Sequence, residues 1–166
     1  MKSHWERDIT CCSPAEAAYR LRRTLPGGHY ALRDAERRLE REYVVCHENE
    51  KRLSKRLKRH TFNLREVYDF VNFVTKNLLR QKVVKISNKD VPDYAGGCYN
   101  ASEKTIRMWF VDKISVITLI HELSHHIQHV EHLHGSTHGE EFVWAENVVF
   151  DALTEWGRER QLLFVK

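Results

Sequence analysis

Cysteine is scarce in this chain, and long hydrophobic runs are absent. The cysteines form no CxxC pair and no zinc-finger spacing, so we interpret them as reduced, small or incidental thiols. They are Cys11, Cys12, Cys46 and Cys98. No apolar run approaches the roughly 18 residues that cross a bilayer, and the first residues, MKSHWERD, contain no apolar signal core. We therefore expect a cytoplasmic protein with no membrane partner.

The hydrophobic content is nevertheless sufficient for a folded core. Hydrophobic residues make up 42% of the 166 residues, which argues against wholesale disorder. The net charge of +4 comes from residues 1–60, which hold 15 Lys/Arg and 9 Asp/Glu, against 12 and 14 in residues 61–166. We accordingly divide the chain into a basic helical accessory region, 1–61, and a core, 62–166.

The accessory region is predicted to be helical. Ser13 followed by Pro14 indicates the start of a short helix over 14–23, and residues 30–59 predict a long, charged helix. Its thin apolar stripe consists of Leu32, Ala35, Leu39, Tyr43, Cys46, Leu53 and Leu57. The basic face of this helix is typical of a surface that contacts nucleic acid, and equally of a solvated face with Glu/Arg pairs.

The core is predicted to have an α+β fold. Its elements are a helix over 63–81, a strand over 82–87, a hairpin over 95–110, a long helix and a final helix over about 139–156. The first of these helices is expected to bury Val67, Phe70, Val71, Val74, Leu78 and Leu79. Asp112 or Ser115 caps the long helix, and Gly157 is expected to end the final one.

The sequence His-Glu-Leu-Ser-His at 121–125 carries the clearest chemistry. On a helix, His121 and His125 lie one turn apart on the same face, where both imidazoles can bind one metal ion. Glu122 lies beside that face, where it can take a proton from activated water without being a ligand. The apolar residues around the motif predict a largely buried helix, in which these polar groups need a partner. The alternative, in a histidine-rich chain, is a surface helix with scattered histidines.

Zinc needs a third protein ligand, and five more histidines follow the motif. They are His126, His129, His132, His134 and His138. His126 points to another face of the helix and is expected to be solvated or to pair with Glu131. His129 extends along the helix axis without closing around the ion, and the next two histidines stay open as candidates.

We favour His138 as the third ligand. A turn at Gly135 followed by a second helix would bring His138 back over the metal. Glu146, on that second helix, is the carboxylate alternative, either as a ligand or as an acceptor for a ligand imidazole.

Together these residues resemble a known family. The HExxH element followed by His138-Gly-x-x-Phe142, with a hairpin before it, is similar to the SprT-like and WLM zinc metallopeptidases. The resemblance covers roughly residues 62–156 and implies a compact zincin-like core that cleaves protein or peptide substrates. It implies zinc bound by His121, His125 and His138, with Glu122 as general base and acid. The chain lacks the Cys-rich zinc ribbon of many SprT proteins, so we do not extend their DNA-repair role to it.

Two other interpretations remain open. A weaker similarity, to the ImmA/IrrE peptidases that cleave repressors, would make Glu146 the third ligand. A non-enzymatic, zinc-stabilised nucleic-acid-binding module would use the basic helix as its working surface.

The resemblance also suggests how a substrate would be held. In zincins an edge strand aligns the peptide by β-augmentation, and Thr105–Phe110 is the strand we place there. Trp109 is expected either to line a substrate pocket or to pack in the core, and Tyr94 or Tyr99 is expected to help an oxyanion.

Overall fold

The part of the chain that the structure describes contains four helices and five short strands. The computed structural model describes residues 29–80, 82–89, 91, 96–109, 113–133 and 137–166, with side chains from residue 37 onward. The helices are α1 His29–Arg56, α2 Leu64–Asn77, α3 Val116–Val130 and α4 Glu140–Glu159. The strands are β1 Thr61–Phe62, β2 Lys85–Ser87, β3 Gly97–Asn100, β4 Thr105–Met108 and β5 Ile114–Ser115. This combination confirms the predicted α+β fold, and the helix predicted over 14–23 lies outside the described residues.

Three of the strands form a mixed sheet in the order β2–β4–β3. β3 and β4 are the predicted hairpin and pair antiparallel, with Cys98 opposite Arg107. β2 runs parallel to β4, with Ile86 opposite Ile106. The prediction that Thr105–Phe110 is an edge strand is therefore wrong, because β4 pairs with β3 on one side and with β2 on the other. The edge strands are β2 and β3, and β3 is the one that packs against α3.

An aromatic cluster joins β1, α2, α4 and the C-terminal residues. Neighbouring rings in it have centroids 5.0 to 5.9 Å apart. Its members are Phe62, Phe70, Trp156 and Phe164, each at most 1% exposed. Burial of such large rings is among the strongest hydrophobic contributions a side chain can make.

The C-terminal half of α1 shares this core. Leu53 and Leu57 are buried in the same hydrophobic cluster as the elements after residue 61. Tyr43, predicted on the same apolar stripe, is instead 44% exposed. The end of α1 lies against α3 and α4, so its inward face borders the candidate site. The domain boundary proposed between residues 61 and 62 stays a prediction.

Side-chain caps define where two of the helices begin. Asn63 and Glu66 form a capping box, in which each side chain accepts the other residue's backbone N–H, so α2 begins where the sequence predicts. Ser115 caps α3, since its hydroxyl accepts the backbone N–H of Thr118. The other candidate cap, Asp112, lies outside the described residues.

The predicted ends of two helices are wrong. α2 ends at Asn77, and Leu78 is 37% exposed instead of buried. α4 continues past Gly157 to Glu159. Gly157 is needed for a different reason: a Cβ there would lie 2.7 Å from the carbonyl oxygen of Leu162. The glycine therefore lets the C-terminal segment fold back against the helix.

Candidate metal centre

Helix α3 places His121 and His125 side by side, as the motif spacing predicts. Their Nε2 atoms are 3.2 Å apart. His125 and Glu122 are 3% and 4% exposed, and the apolar side chains of the same helix are buried in the core. The motif therefore lies in the protein interior and not on a solvated helix face.

His138 joins this pair from the turn before α4. Its Nε2 atom lies 3.3 Å from the Nε2 atom of His121. Phe142, one turn into α4, packs against all three imidazoles, with ring centroids 4.8 Å from His121, 4.5 Å from His125 and 4.9 Å from His138. Phe142, four positions after His138, thus packs against all three imidazole rings.

The opposite edge of His121 faces carboxylates. Its Nδ1 atom lies 2.8 Å from Oε1 of Glu50, on α1, and 3.7 Å from Oε1 of Glu146, on α4. Asn49 donates its amide to the other oxygen of Glu146. Glu146 therefore lies on the Nδ1 side of His121, whereas His125 and His138 lie on the Nε2 side.

The two Nε2 separations measured from His121 match those between ligands of one tetrahedral ion. Two nitrogens that bind one zinc at about 2.05 Å and the tetrahedral angle lie about 3.3 Å apart, which is close to both Nε2 separations. A neutral His121 ring that donates its Nδ1 proton to Glu50 has its lone pair on Nε2. A lone pair facing two further imidazole nitrogens at this distance is suited to a shared cation.

The ligand atoms around His121 form two groups in which every pair lies within 4.8 Å. One group contains Cys46, His121 and His138, and the other contains Cys46, Glu50, His121 and Glu146; the predicted ligand His125 belongs to neither. The described part of the chain can therefore bind a metal ion at this place. Burial raises the pKa of the Cys46 thiol to about 11, so this cysteine is protonated at neutral pH in the absence of a cation.

The three imidazoles differ in their electrostatics. Burial and then the charge of His121 lower the pKa of His125 well below its ordinary value, and burial lowers the pKa of His138 to about 3. Burial also depresses the pKa of His121, but the interactions of its ring with Cys46 and with the carboxylates of Glu146 and Glu50 outweigh burial and hold that pKa well above its ordinary value. His125 and His138 are thus neutral, while the surroundings of His121 favour a positive charge. A bound cation supplies that charge without the proton.

Glu122 lies between the motif helix and the edge strand. A Cβ on Gly97 of β3 would be 3.2 Å from Cγ and Oε1 of Glu122 and 3.2 Å from the carbonyl oxygen of Arg107. The absence of a side chain at Gly97 therefore lets the strand pass close to the carboxylate. The backbone of β3 at Gly97 and the carboxylate of Glu122 are therefore immediate neighbours.

His126 has a structural role that the sequence did not suggest. The expectation that it is solvated or pairs with Glu131 is wrong, because it is fully buried. Its Nε2–H donates to the carbonyl oxygen of Lys82 at 2.9 Å, and its Nδ1 accepts from the hydroxyl of Tyr99 at 2.8 Å. The ammonium of Lys82 binds Glu131 instead. Burial lowers the pKa of His126, and the neutral ring ties α3 to the sheet.

The remaining aromatic and histidine candidates have different outcomes. Tyr99 uses its hydroxyl on His126, so the structure gives it a packing role in place of the expected oxyanion contact. Trp109 is 54% exposed, which excludes the core role. His129 and His132 are exposed, while His134 and Tyr94 lie outside the described residues.

Sequence reasoning missed the contribution of α1 to this site. The sequence pattern predicts an incidental thiol at Cys46 and places Glu50 on a charged helix. A signal was present, because the apolar stripe of α1 is interrupted between Cys46 and Leu53, where its period falls on Asn49 and Glu50. Polar residues at an inward-facing position are those that need a buried partner.

Comparison with family models, with curated proteins and with solved structures gives no match for this chain. Among the described helices, none is both long and apolar enough to cross a membrane.

Proposed function

We propose that this protein is a zinc-dependent endopeptidase of the SprT-like kind. The observation that carries the proposal is the approach of the His125 and His138 imidazole nitrogens to Nε2 of His121, each at a separation that suits two ligands of one tetrahedral zinc. The buried Glu122 beside them supplies the carboxylate that hydrolysis needs. Three protein ligands leave a fourth position for water or substrate, which is the arrangement of a catalytic zinc site.

In this mechanism the chain's residues divide the work. Zinc, when bound, polarises the scissile carbonyl and lowers the pKa of water. Glu122 accepts the proton of the attacking water and then donates it to the leaving amine. Phe142 holds the three imidazoles in place.

The edge strand β3 replaces Thr105–Phe110 as the proposed substrate-aligning strand. Among the described strands, none pairs with β3 on the side away from β4. Hydrogen-bonded pairs alternate along an antiparallel ladder, and the N–H of Trp109 donates to the carbonyl of Gly96. By that alternation, the backbone groups of Gly97 and Tyr99 point away from β4, where an extended peptide can pair with them.

The test of this function is the Glu122→Gln variant. We expect it to bind one zinc per chain and to lose hydrolysis of an unfolded protein substrate, because Gln cannot accept the proton. Glu141→Gln, an exposed position in the first turn of α4, is the matched control and should keep full activity. Retained peptide hydrolysis by Glu122→Gln would contradict the mechanism.

The ImmA/IrrE-like alternative rests on the buried carboxylate of Glu146. Zinc content of His138→Ala and Glu146→Ala separates the two assignments. We expect His138→Ala to lose zinc and Glu146→Ala to retain it, because the carboxylate of Glu146 lies 3.7 Å from Nδ1 of His121, beyond hydrogen-bond length. The reverse order would support the alternative.

Nucleic-acid binding through α1 is the non-enzymatic alternative. Arg37, Arg38, Arg41 and Lys51 are exposed on this helix, although Arg38 and Lys51 lie close to glutamates of the same helix. DNA binding that weakens steeply with salt, together with no peptidase activity and no effect of Glu122→Ala, would favour this reading.

A further inference from the structure

An inward-facing carboxylate on α1 is the least expected feature of the metal centre. Glu50 lies on the helix that the sequence assigned to an accessory region, yet its Oε1 atom is 2.8 Å from Nδ1 of His121. Its Oε2 atom is 3.5 Å from Nδ1 of His47, and the side chain is 22% exposed. The contact thus joins α1 to the first histidine of the motif across 71 positions of sequence.

We propose that Glu50 is a positioning residue of the metal centre. The proposal rests on the metal site of the proposed function. Glu50 accepts the Nδ1 proton of His121, which fixes the tautomer with a lone pair on Nε2 and orients the ring towards His125 and His138. A carboxylate in this place also makes the imidazole a stronger ligand.

The distances from Nδ1 of His121 assign the hydrogen bond to Glu50 and not to Glu146. The 3.7 Å from Nδ1 of His121 to Glu146 is beyond hydrogen-bond length, whereas 2.8 Å is a normal one. Glu146 also accepts the amide of Asn49. Its negative charge acts on His121 through space, while Glu50 makes the directional bond.

The same atoms allow a competing arrangement. Cys46, Glu50, His121 and Glu146 could themselves hold an ion at Nδ1 of His121. An ion bound there alone would have one imidazole and one sulfur ligand, whereas an ion bound there in addition to one at Nε2 would need a fully deprotonated imidazole and two ions per chain. Metal stoichiometry, together with the thiolate absorption of the Co²⁺-substituted protein, therefore distinguishes this arrangement from the positioning role.

The experiment compares Glu50→Ala, Glu50→Gln and the control Glu48→Ala in the full chain. Glu48 lies two positions earlier on α1, is exposed and pairs with Lys51. Zn²⁺ affinity is measured by competition with a chromophoric chelator, and the Co²⁺-substituted protein reports ligand geometry through its visible absorption. Far-ultraviolet circular dichroism of each metal-free variant establishes that it is folded.

We expect Glu50→Ala to weaken Zn²⁺ binding about 10- to 100-fold and to alter the Co²⁺ spectrum. Glu50→Gln should restore most of the affinity, because its amide oxygen accepts the same hydrogen bond, and Glu48→Ala should match the parent protein. If Glu50→Ala does not fold, Glu50→Leu, which fills the space without an acceptor, takes its place.

Unchanged affinity and an unchanged Co²⁺ spectrum in a folded Glu50→Ala or Glu50→Leu variant would overturn the proposal. Two zinc ions per chain in the parent protein, or a single ion with one sulfur and only one imidazole ligand, would also overturn it. Neither readout depends on peptide cleavage, so a protein that binds zinc without hydrolysing peptides refutes the proposed function and leaves this inference standing.

Discussion

The fit of Gly97 against Glu122 makes Gly97→Ala an informative perturbation of the proposed mechanism. The new Cβ would lie 3.2 Å from both Cγ and Oε1 of Glu122, and 3.2 Å from the carbonyl oxygen of Arg107. Carbon atoms in good contact lie about 3.5 to 4.0 Å apart, so something must move by a few tenths of an ångström. The carbonyl of Arg107 belongs to the central strand, paired on both sides. We therefore expect the carboxylate of Glu122 to move.

A 1 Å misplacement of reacting groups costs about a hundredfold in rate, so a shift of about half that size predicts a loss of about tenfold in kcat. Zinc affinity should not change, because Gly97 contacts Glu122 and not a proposed ligand. The assay is hydrolysis of a labelled unfolded protein by zinc-loaded enzyme, with zinc content measured in parallel.

Gly96→Ala is the matched control for this variant. A Cβ on Gly96 would meet only the side chain of Thr118, at 3.6 and 3.7 Å, which are ordinary contacts. We expect the control to keep full activity. Full activity in a folded Gly97→Ala protein would refute the placement of Glu122 against Gly97. Loss of zinc from the same variant would refute the expectation that Gly97 affects the general base without affecting the zinc ligands.

Three further predictions concern the surroundings of the site. Tyr99→Phe should lower the free energy of unfolding by about 1 to 3 kcal/mol, because Nδ1 of buried His126 loses its donor. Its zinc affinity should not change, and lost activity without lost stability in urea unfolding would instead indicate an oxyanion role. Burial lowers the pKa of His126, so below pH 6.5, its ordinary pKa, the imidazole takes up a proton when the protein unfolds. The free energy of unfolding therefore falls as the pH falls through 6.5. His126→Gln should reduce this slope by up to about 1.4 kcal/mol per pH unit, and an unchanged slope would contradict the assignment. Gly157→Ala should destabilise by about 1 to 3 kcal/mol, because its Cβ would overlap the Leu162 carbonyl. Equal or greater stability in urea unfolding would contradict this packing.

Local patterns predicted what depends on local spacing. The four-residue separation of His121 and His125 brings two imidazoles together on any helix, and Ser115, one of the two predicted caps, marks the start of α3 through a contact three residues away. The antiparallel hairpin followed for the same reason, since its strands adjoin in sequence. The expectation that His138 approaches the motif depended on a turn between two helices, and the structure brings it to 3.3 Å from His121.

The remaining features depend on contacts between distant segments, which periodicity does not encode. β4 is central only because β2 pairs with it in parallel, and the pattern of either strand alone gives no partner. His126 is buried because the Lys82 carbonyl and the Tyr99 hydroxyl meet it from two other segments. Glu50 reaches His121 across 71 positions, so its role appears only once α1 is packed against α3.

Zinc K-edge X-ray absorption on the zinc-loaded protein tests the central claim most directly, because it measures which atoms surround the ion. Binding by His121, His125 and His138 predicts three imidazole nitrogens and one oxygen at about 2.0 to 2.1 Å, with no sulfur at about 2.3 Å. A sulfur ligand from Cys46, or a shell with only one or two imidazoles, would contradict the account.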